Sequence, residues 1–151
     1  MNELTRLIDS STIDIGTAIV RLLVSFLLGA IIGAERQARR REAGLRTFTL
    51  ICLGSTMSML VSIWIPQPYP NFLNGDPGRI AAQVLTGIGF LGAGAIIQGK
   101  GSVHGLTTTT DMWVVAVIGL AVGAGMFLPA IILTLLTVFV LTLLEHLEKR
   151  T

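Results

Sequence analysis

Charge is scarce in this chain: 13% of its 151 residues are Asp, Glu, Lys or Arg, against about 25% in an average soluble domain. Cysteine is nearly absent, and the single Cys52 lies inside an apolar run. That excludes an internal disulfide and any multi-cysteine zinc or iron–sulfur centre. Eleven basic and nine acidic residues leave a formal charge of +2, so the pI near 9.2 reflects a small imbalance. It gives no basic stripe for nucleic acid. No nucleophile–base pair, His/Cys metal cluster or phosphate-binding loop is present, so we expect no enzyme and no resident cofactor.

Apolar residues dominate instead, at 52% of the chain with a mean hydropathy of +0.75. They gather into stretches of about 18 to 20 residues, each rising roughly 27 to 30 Å as a helix, enough to cross a bilayer core. We expect an all-α, polytopic membrane protein of five transmembrane helices, at 15–34, 47–65, 79–97, 106–125 and 128–144, forming one transmembrane domain over 1–151. The first run is too long for a signal-peptide core and lacks a basic leader, so it reads as a retained span. The last boundary is the softest: Gly123, Gly125 and Pro129 are its only breakers, and one long bent helix is the alternative.

Orientation follows from the basic residues. Arg36, Arg39, Arg40, Arg41, Arg46, Lys100, Lys149 and Arg150 fall on one side, and only Arg6 and Arg79 on the other. The positive-inside rule then places the N-terminus outside and the C-terminus in the cytoplasm.

Several polar groups lie inside or beside these spans. Asp76-Pro77-Gly78-Arg79 opens the third span as a capped helix start, with Asp at the positive end of the dipole. Asp76 can also pair with Arg79 or Arg21, or meet a cation from outside. Arg21 sits roughly 9 Å below the outer end of its span, where pairing with Asp76 or Asp14 is favoured over snorkelling. Asp111 sits roughly 7.5 Å inside the opposite end. Glu35, Arg36 and Arg46 share that end, so an arginine pair is the first reading and a protonatable carboxylate the second. These depths imply two separate polar clusters.

The third span carries Gly87, Gly89, Gly92 and Gly94. Each costs about 1 kcal/mol of helix propensity relative to alanine, and close helix packing is the expected return. An unwound segment with Gln83 and Thr86 facing a cavity is the alternative. Gly29 with Gly33, and Gly119 with Gly123, are further small-xxx-small pairs. Thr107 to Thr110 open the fourth span beside His104, which reads as a solvated loop residue.

Gly33-Ala-Glu-Arg-Gln37, Ala43-Gly-Leu-Arg-Thr-Phe-Thr-Leu50, Asp76-Pro-Gly-Arg-Ile-Ala-Ala-Gln-Val84, Thr86-Gly-Ile-Gly-Phe-Leu-Gly-Ala-Gly94 and Gly105-Leu-Thr-Thr108 with Trp113 occur in that order. In these blocks the chain closely resembles the MgtC/SapB family of bacterial inner-membrane proteins. The resemblance implies a five-span bundle acting in adaptation to low magnesium and, in pathogens, in survival inside macrophages. It also implies regulation through membrane partners, among them the ATP synthase and P-type cation pumps. By position, Asp76 and Arg79 match the family's DPxR element, Glu35 and Arg36 its ERQ element, and Arg46 and Thr47 its GLRT element. Cys52 falls where the family also tends to carry cysteine. Asp111 stands where a small neutral residue is expected, and the soluble C-terminal domain of the longer members is not in the sequence.

Mg²⁺ usually keeps several waters and uses one or two carboxylates, so Asp76 outside, and Glu35 with Asp111 inside, could serve such an ion at the two mouths, with Asp76 the candidate metal contact. Arginines beside each acid oppose cation occupancy. A membrane regulator or interaction protein therefore ranks first. A small-cation channel or transporter is second, and a protein binding anionic lipid through the Arg36 to Arg46 patch is third. Membrane lipids and a second copy of the chain are the expected neighbours.

Overall fold

A computed structural model describes residues 13–65, 76, 78–99 and 102–144. Residues 66–75, Pro77, and the residues Arg6, Lys100, Lys149 and Arg150 that entered the charge count lie outside them. Five helices follow one another: α1 (Ile15–Ala38), α2 (Leu45–Trp64), α3 (Gly78–Ala95), α4 (Leu106–Gly123) and α5 (Phe127–Phe139), the last continued by a π-turn over Val140–Leu144. Helices α1, α2 and α4 are long and apolar enough to cross a membrane. Helix α3 matches α4 in length at 18 residues but dilutes its hydropathy with Arg79, Gln83 and glycines. Helix α5 is apolar but shorter.

The all-α expectation holds, and the end of the third span is corrected. The third helix ends at Ala95 rather than Ile97, and the chain makes a short antiparallel hairpin, β1 (Ile97–Gly99) with β2 (Ser102–His104), pairing Gln98 with Val103. Ile96 N–H already bonds back to Ala93 O, a tightened last turn that ends the helix. The β-branched Ile97 and Val103 suit paired strands. His104 is thus the end of a strand, and it is exposed.

Helix α1 begins with Asp14, whose carboxylate accepts the Thr17 N–H at 2.8 Å. Hydrogen bonding from Thr17 holds that carboxyl below the ordinary carboxylate range, so the cap is intact at neutral pH and is lost only as pH falls below about 4. At its other end α1 runs past the expected residue 34 to Ala38 because its buried face continues through Ile32, Gly33 and Arg36.

Two helices end in the same way. After α4, Gly125 N–H bonds Val122 O at 2.9 Å and Met126 N–H bonds Ala121 O at 2.8 Å, with Gly125 left-handed at φ +84°. After α1, Arg40 N–H bonds Gln37 O at 3.0 Å and Arg41 N–H bonds Arg36 O at 3.1 Å, with Arg40 left-handed at φ +54°. Both are Schellman closures. The first separates α4 from α5, so the single bent helix does not form.

Helix α2 threads between α1 and α4, and glycines set the distance on both sides. A methyl group at Gly29 would lie 2.8 Å from Cys52 Cβ, and one at Gly33 would lie 2.7 Å from Leu45 Cα. On the far side, Gly119 faces the Cys52 carbonyl and Gly123 faces the Thr56 carbonyl and Met59. Of the four glycines between Gly87 and Gly94 in α3, Gly92 meets Thr109, while Gly87, Gly89 and Gly94 meet no neighbour among the described residues. Close packing at those three positions is therefore not found among the described residues. Helix α3 leans on α4 and α2 along one side only, through Ile88 and Gly92.

Polarity is inverted relative to a water-soluble fold. Phe26, Leu50, Phe90, Leu128 and Leu135 are exposed, while Thr17, Arg21, Ser25, Arg36, Ser55, Thr56, Asp111 and Thr134 are buried. Such a surface suits a hydrocarbon solvent.

Two outcomes are expected from this packing. Gly119→Ala should destabilise the fold by about 1 to 3 kcal/mol through overpacking, whereas Gly87→Ala should be neutral or gain about 1 kcal/mol of helix propensity; thermal unfolding in detergent reads both. Arg40→Gly should stabilise by about 1 kcal/mol, because it relieves a side chain from the left-handed region.

Candidate functional site

Two buried polar clusters lie at opposite ends of α4. Their anchors, Asp111 and Gly123, are twelve residues apart in the helix, or about 18 Å. Along α1 the buried Leu28 and Ile32 stand between the clusters, and along α4 Val115, Ala116 and Ile118 do so.

The first cluster gathers Glu35, Arg36 and Arg39 of α1 and its C-cap with Asp111 of α4. Arg36 is 1% exposed; its Nε donates to Glu35 Oε2 at 2.5 Å and its Nη1 reaches Asp111 Oδ2 at 3.5 Å. Arg39 Nε sits 2.5 Å from Glu35 Oε1, an i,i+4 ion pair. Two carboxylates and two guanidiniums balance one another, and Arg36 bridges both acids. Of the arginines expected near Asp111, Arg36 meets it. Arg46 does not: it stands exposed in the first turn of α2, followed by the half-buried Thr47.

The second cluster corrects an expectation. Arg21, 2% exposed, pairs with neither Asp14 nor Asp76 among the described residues; its Nη1 donates to Gly123 O at 2.7 Å. The cause is the end of α4. The last carbonyls of a helix lack intrahelical partners. Here Leu120 O, Ala121 O and Val122 O take the N–H groups of Ala124, Met126 and Gly125, and Arg21 takes the remaining one at Gly123. A guanidinium at a helix C-terminus also meets the negative end of the dipole.

Between Arg21 and the centre, the Thr56 hydroxyl lies 2.8 Å from both Ser25 Oγ and Gly119 O. A carbonyl only accepts, so Thr56 donates to Gly119 and Ser25 donates to Thr56. This link joins α1, α2 and α4. The sequence reading passed over Ser25 and Thr56, although Thr17, Arg21 and Ser25 at helical spacing on an otherwise apolar helix are its trace.

Asp76 stays outside both clusters. It is exposed, its Oδ1 accepts the Gly78 N–H at 2.7 Å, and its carbonyl accepts the Arg79 N–H at 3.2 Å, so it starts α3. Arg79, Gln83 and Thr86 are exposed on α3, with the Thr86 hydroxyl bonded to Ala82 O at 3.1 Å. Helix α3 runs unbroken through Gln83 and Thr86, so the unwound segment does not form there. Among the described residues no three His, Cys, Asp or Glu side chains converge as metal ligands. Of the threonines opening α4, Thr109 bonds Gly92 O at 3.2 Å and ties α3 to α4, while Thr110 bonds Leu106 O at 3.0 Å.

A family model, the MgtC family, matches residues 22–150. This chain belongs to the MgtC family. It is 42% identical over 134 residues to a protein of Escherichia coli (strain K12) named putative magnesium transporter YhiD, covering 87% of this chain and 62% of that one. It is 43% identical over 132 residues to protein MgtC of Salmonella typhimurium, covering 87% and 54%. An uncharacterized protein of Haemophilus influenzae is 39% identical over 120 residues, covering 77% and 50%. The chain thus spans between about half and two thirds of the length of these relatives. No solved structure matches it.

Family membership and the three span-capable helices make this a membrane protein of the MgtC type. In such a chain the Arg36 to Asp111 pair is costly to break by halves, because one charge then stays buried. Arg36→Leu should destabilise by about 3 to 5 kcal/mol, and adding Asp111→Leu should recover much of that loss, measured as a thermal double-mutant cycle in detergent.

Proposed function

We propose that this MgtC-family chain is a multi-pass protein of the bacterial inner membrane that supports adaptation to low magnesium by acting on membrane partners rather than by conducting ions or catalysing a reaction. The observation that carries this reading is the state of its buried charges. Glu35 and Asp111 are both held by Arg36, and Arg21 is held by the α4 terminus. A cation would have to displace a guanidinium at the one buried cluster that contains carboxylates. The apolar layer of Leu28, Ile32, Val115 and Ile118 then separates that cluster from Arg21. A locked, charge-balanced core suits a scaffold that presents surfaces.

Five spans with the N-terminus outside and the C-terminus cytoplasmic fit the exposed Arg40, Arg41 and Arg46 at the α1–α2 turn. Gly87 and Gly94, seven residues apart and so on one side of α3, have no neighbour among the described residues, and small residues there let a second copy's backbone approach. The ATP synthase and cation pumps are the partner class we favour, with intracellular survival as the setting in a pathogen.

Cation transport is the second reading, favoured by the printed name of the Escherichia coli relative. Mg²⁺ uptake by proteoliposomes holding the full chain decides between them, with empty liposomes and Asp111→Asn as controls. The expected result is no saturable flux from protein shown to be folded and inserted, together with rescue of growth at low magnesium in cells. Saturable flux lost in Asp111→Asn would overturn the regulator reading.

A further inference from the structure

A second groove, apart from both buried clusters, opens on the outer face of α1 and α2. It encloses about 400 Å³ and is lined by Phe26 and Ala30 of α1 and by Leu45, Arg46, Thr49, Leu50 and Leu53 of α2. Its polarity is graded along α2. Arg46, exposed, stands at the rim; Thr49 lies one turn further in; Leu50 and Leu53 with Phe26 form the apolar remainder. From Arg46 to Leu53 the groove runs about 10 Å along the helix axis.

Thr49 is the unusual member. It is 8% exposed, and its hydroxyl makes no hydrogen bond among the described residues. By contrast, Thr56, Thr86, Thr109, Thr110, Thr134 and Thr137 each donate to a backbone carbonyl. An unpaired hydroxyl in an apolar setting is costly. A rotation about χ1 exchanges its hydroxyl and methyl positions and turns the donor toward the groove.

We propose that this groove is a binding site for an anionic glycerophospholipid, with the phosphate on Arg46, an ester carbonyl accepting from Thr49, and one acyl chain along Phe26, Ala30, Leu50 and Leu53. Phosphate, ester and hydrocarbon occur in that order in such a lipid, which is the order of Arg46, Thr49 and the apolar residues in the groove. Charge complementarity selects the anionic class: no carboxylate lines the groove, and the turn beside it exposes Arg40 and Arg41 against Glu42. The larger groove of about 710 Å³, bordered by Asp14 and Trp64, has the opposite charge at its edge and no lining cation. The inference rests on the membrane reading and goes beyond it.

Native mass spectrometry of the full chain in detergent tests it, with phosphatidylglycerol and phosphatidylethanolamine of identical acyl chains offered at equal mole fraction. Phosphatidylglycerol should be retained roughly fivefold more, the worth of about one arginine–headgroup contact. Arg46→Gln should bring it to the phosphatidylethanolamine level, with Arg46→Lys keeping most of the preference. Thr49→Val, of the same shape, should weaken both lipids alike because both carry the ester, and Ala30→Phe should displace both. Arg79→Gln on α3 should change nothing. Equal retention of the two lipids by the unaltered chain, selectivity surviving Arg46→Gln, or an adduct surviving Ala30→Phe would each overturn the proposal. Thermal unfolding in the same detergent confirms that each variant is folded, and carbonate extraction reads membrane insertion separately, so a failure of the membrane reading is distinguishable from a failure of the site.

Discussion

Everything in this fold depends on how closely the backbone of α2 approaches α1 and α4. Gly29 and Gly33 on one side and Gly119 and Gly123 on the other leave no room for a β-carbon. That distance lets the Thr56 hydroxyl span the gap to Ser25 and to the Gly119 carbonyl. With α1 and α4 held on the two sides of α2, Arg21 reaches the end of α4 and Arg36 reaches Asp111. In a medium without water, helix association draws on contact and hydrogen bonding rather than on the hydrophobic effect. The glycines supply the contact and the hydroxyls the bonds.

The same constraint explains why the buried charges are arranged as they are. A guanidinium in an apolar setting must be satisfied locally, and a helix end must satisfy its last carbonyls. At Gly123 one N–H of Arg21 and one helix-end carbonyl satisfy each other, while Arg21 Nε has no partner among the described residues. At the other end Arg36 answers two carboxylates, and Arg39 supplies the second positive charge. Both clusters tie α1 to α4, which suits a rigid body whose surfaces act. The two grooves and the uncovered α3 face are then the places where lipid, a second copy or a partner would meet it.

The Schellman closures show how similar geometry is reached by unlike residues. Gly125 takes the left-handed position after α4 without cost, while Arg40 takes it after α1 against the preference of a side chain. The hydrogen bonds of the closure, not the residue type, decide where each helix stops. The Gly and Pro signals therefore located the α4–α5 break, whereas the end of α1 at Ala38 carried no such mark.

Helix number, the apolar lengths and family membership were legible in the residues, because length, hydropathy and motif order are properties of the chain alone. The Asp76 cap and the small-residue pairs of α1 and α4 were legible for the same reason: their signals lie within one turn or two. The partner of Arg21 was not, since a backbone carbonyl is contributed by every residue and leaves no trace in the sequence. Nor could spacing tell that Gly92 meets Thr109 while Gly87, Gly89 and Gly94 meet no described residue, because a helix has several faces and only its neighbours decide which of them is covered. The sequence by itself determined what kind of solvent this chain suits and which residues must find partners there. The tertiary structure alone decided which partners they found, because contacts between helices depend on rotation and depth that no local pattern encodes.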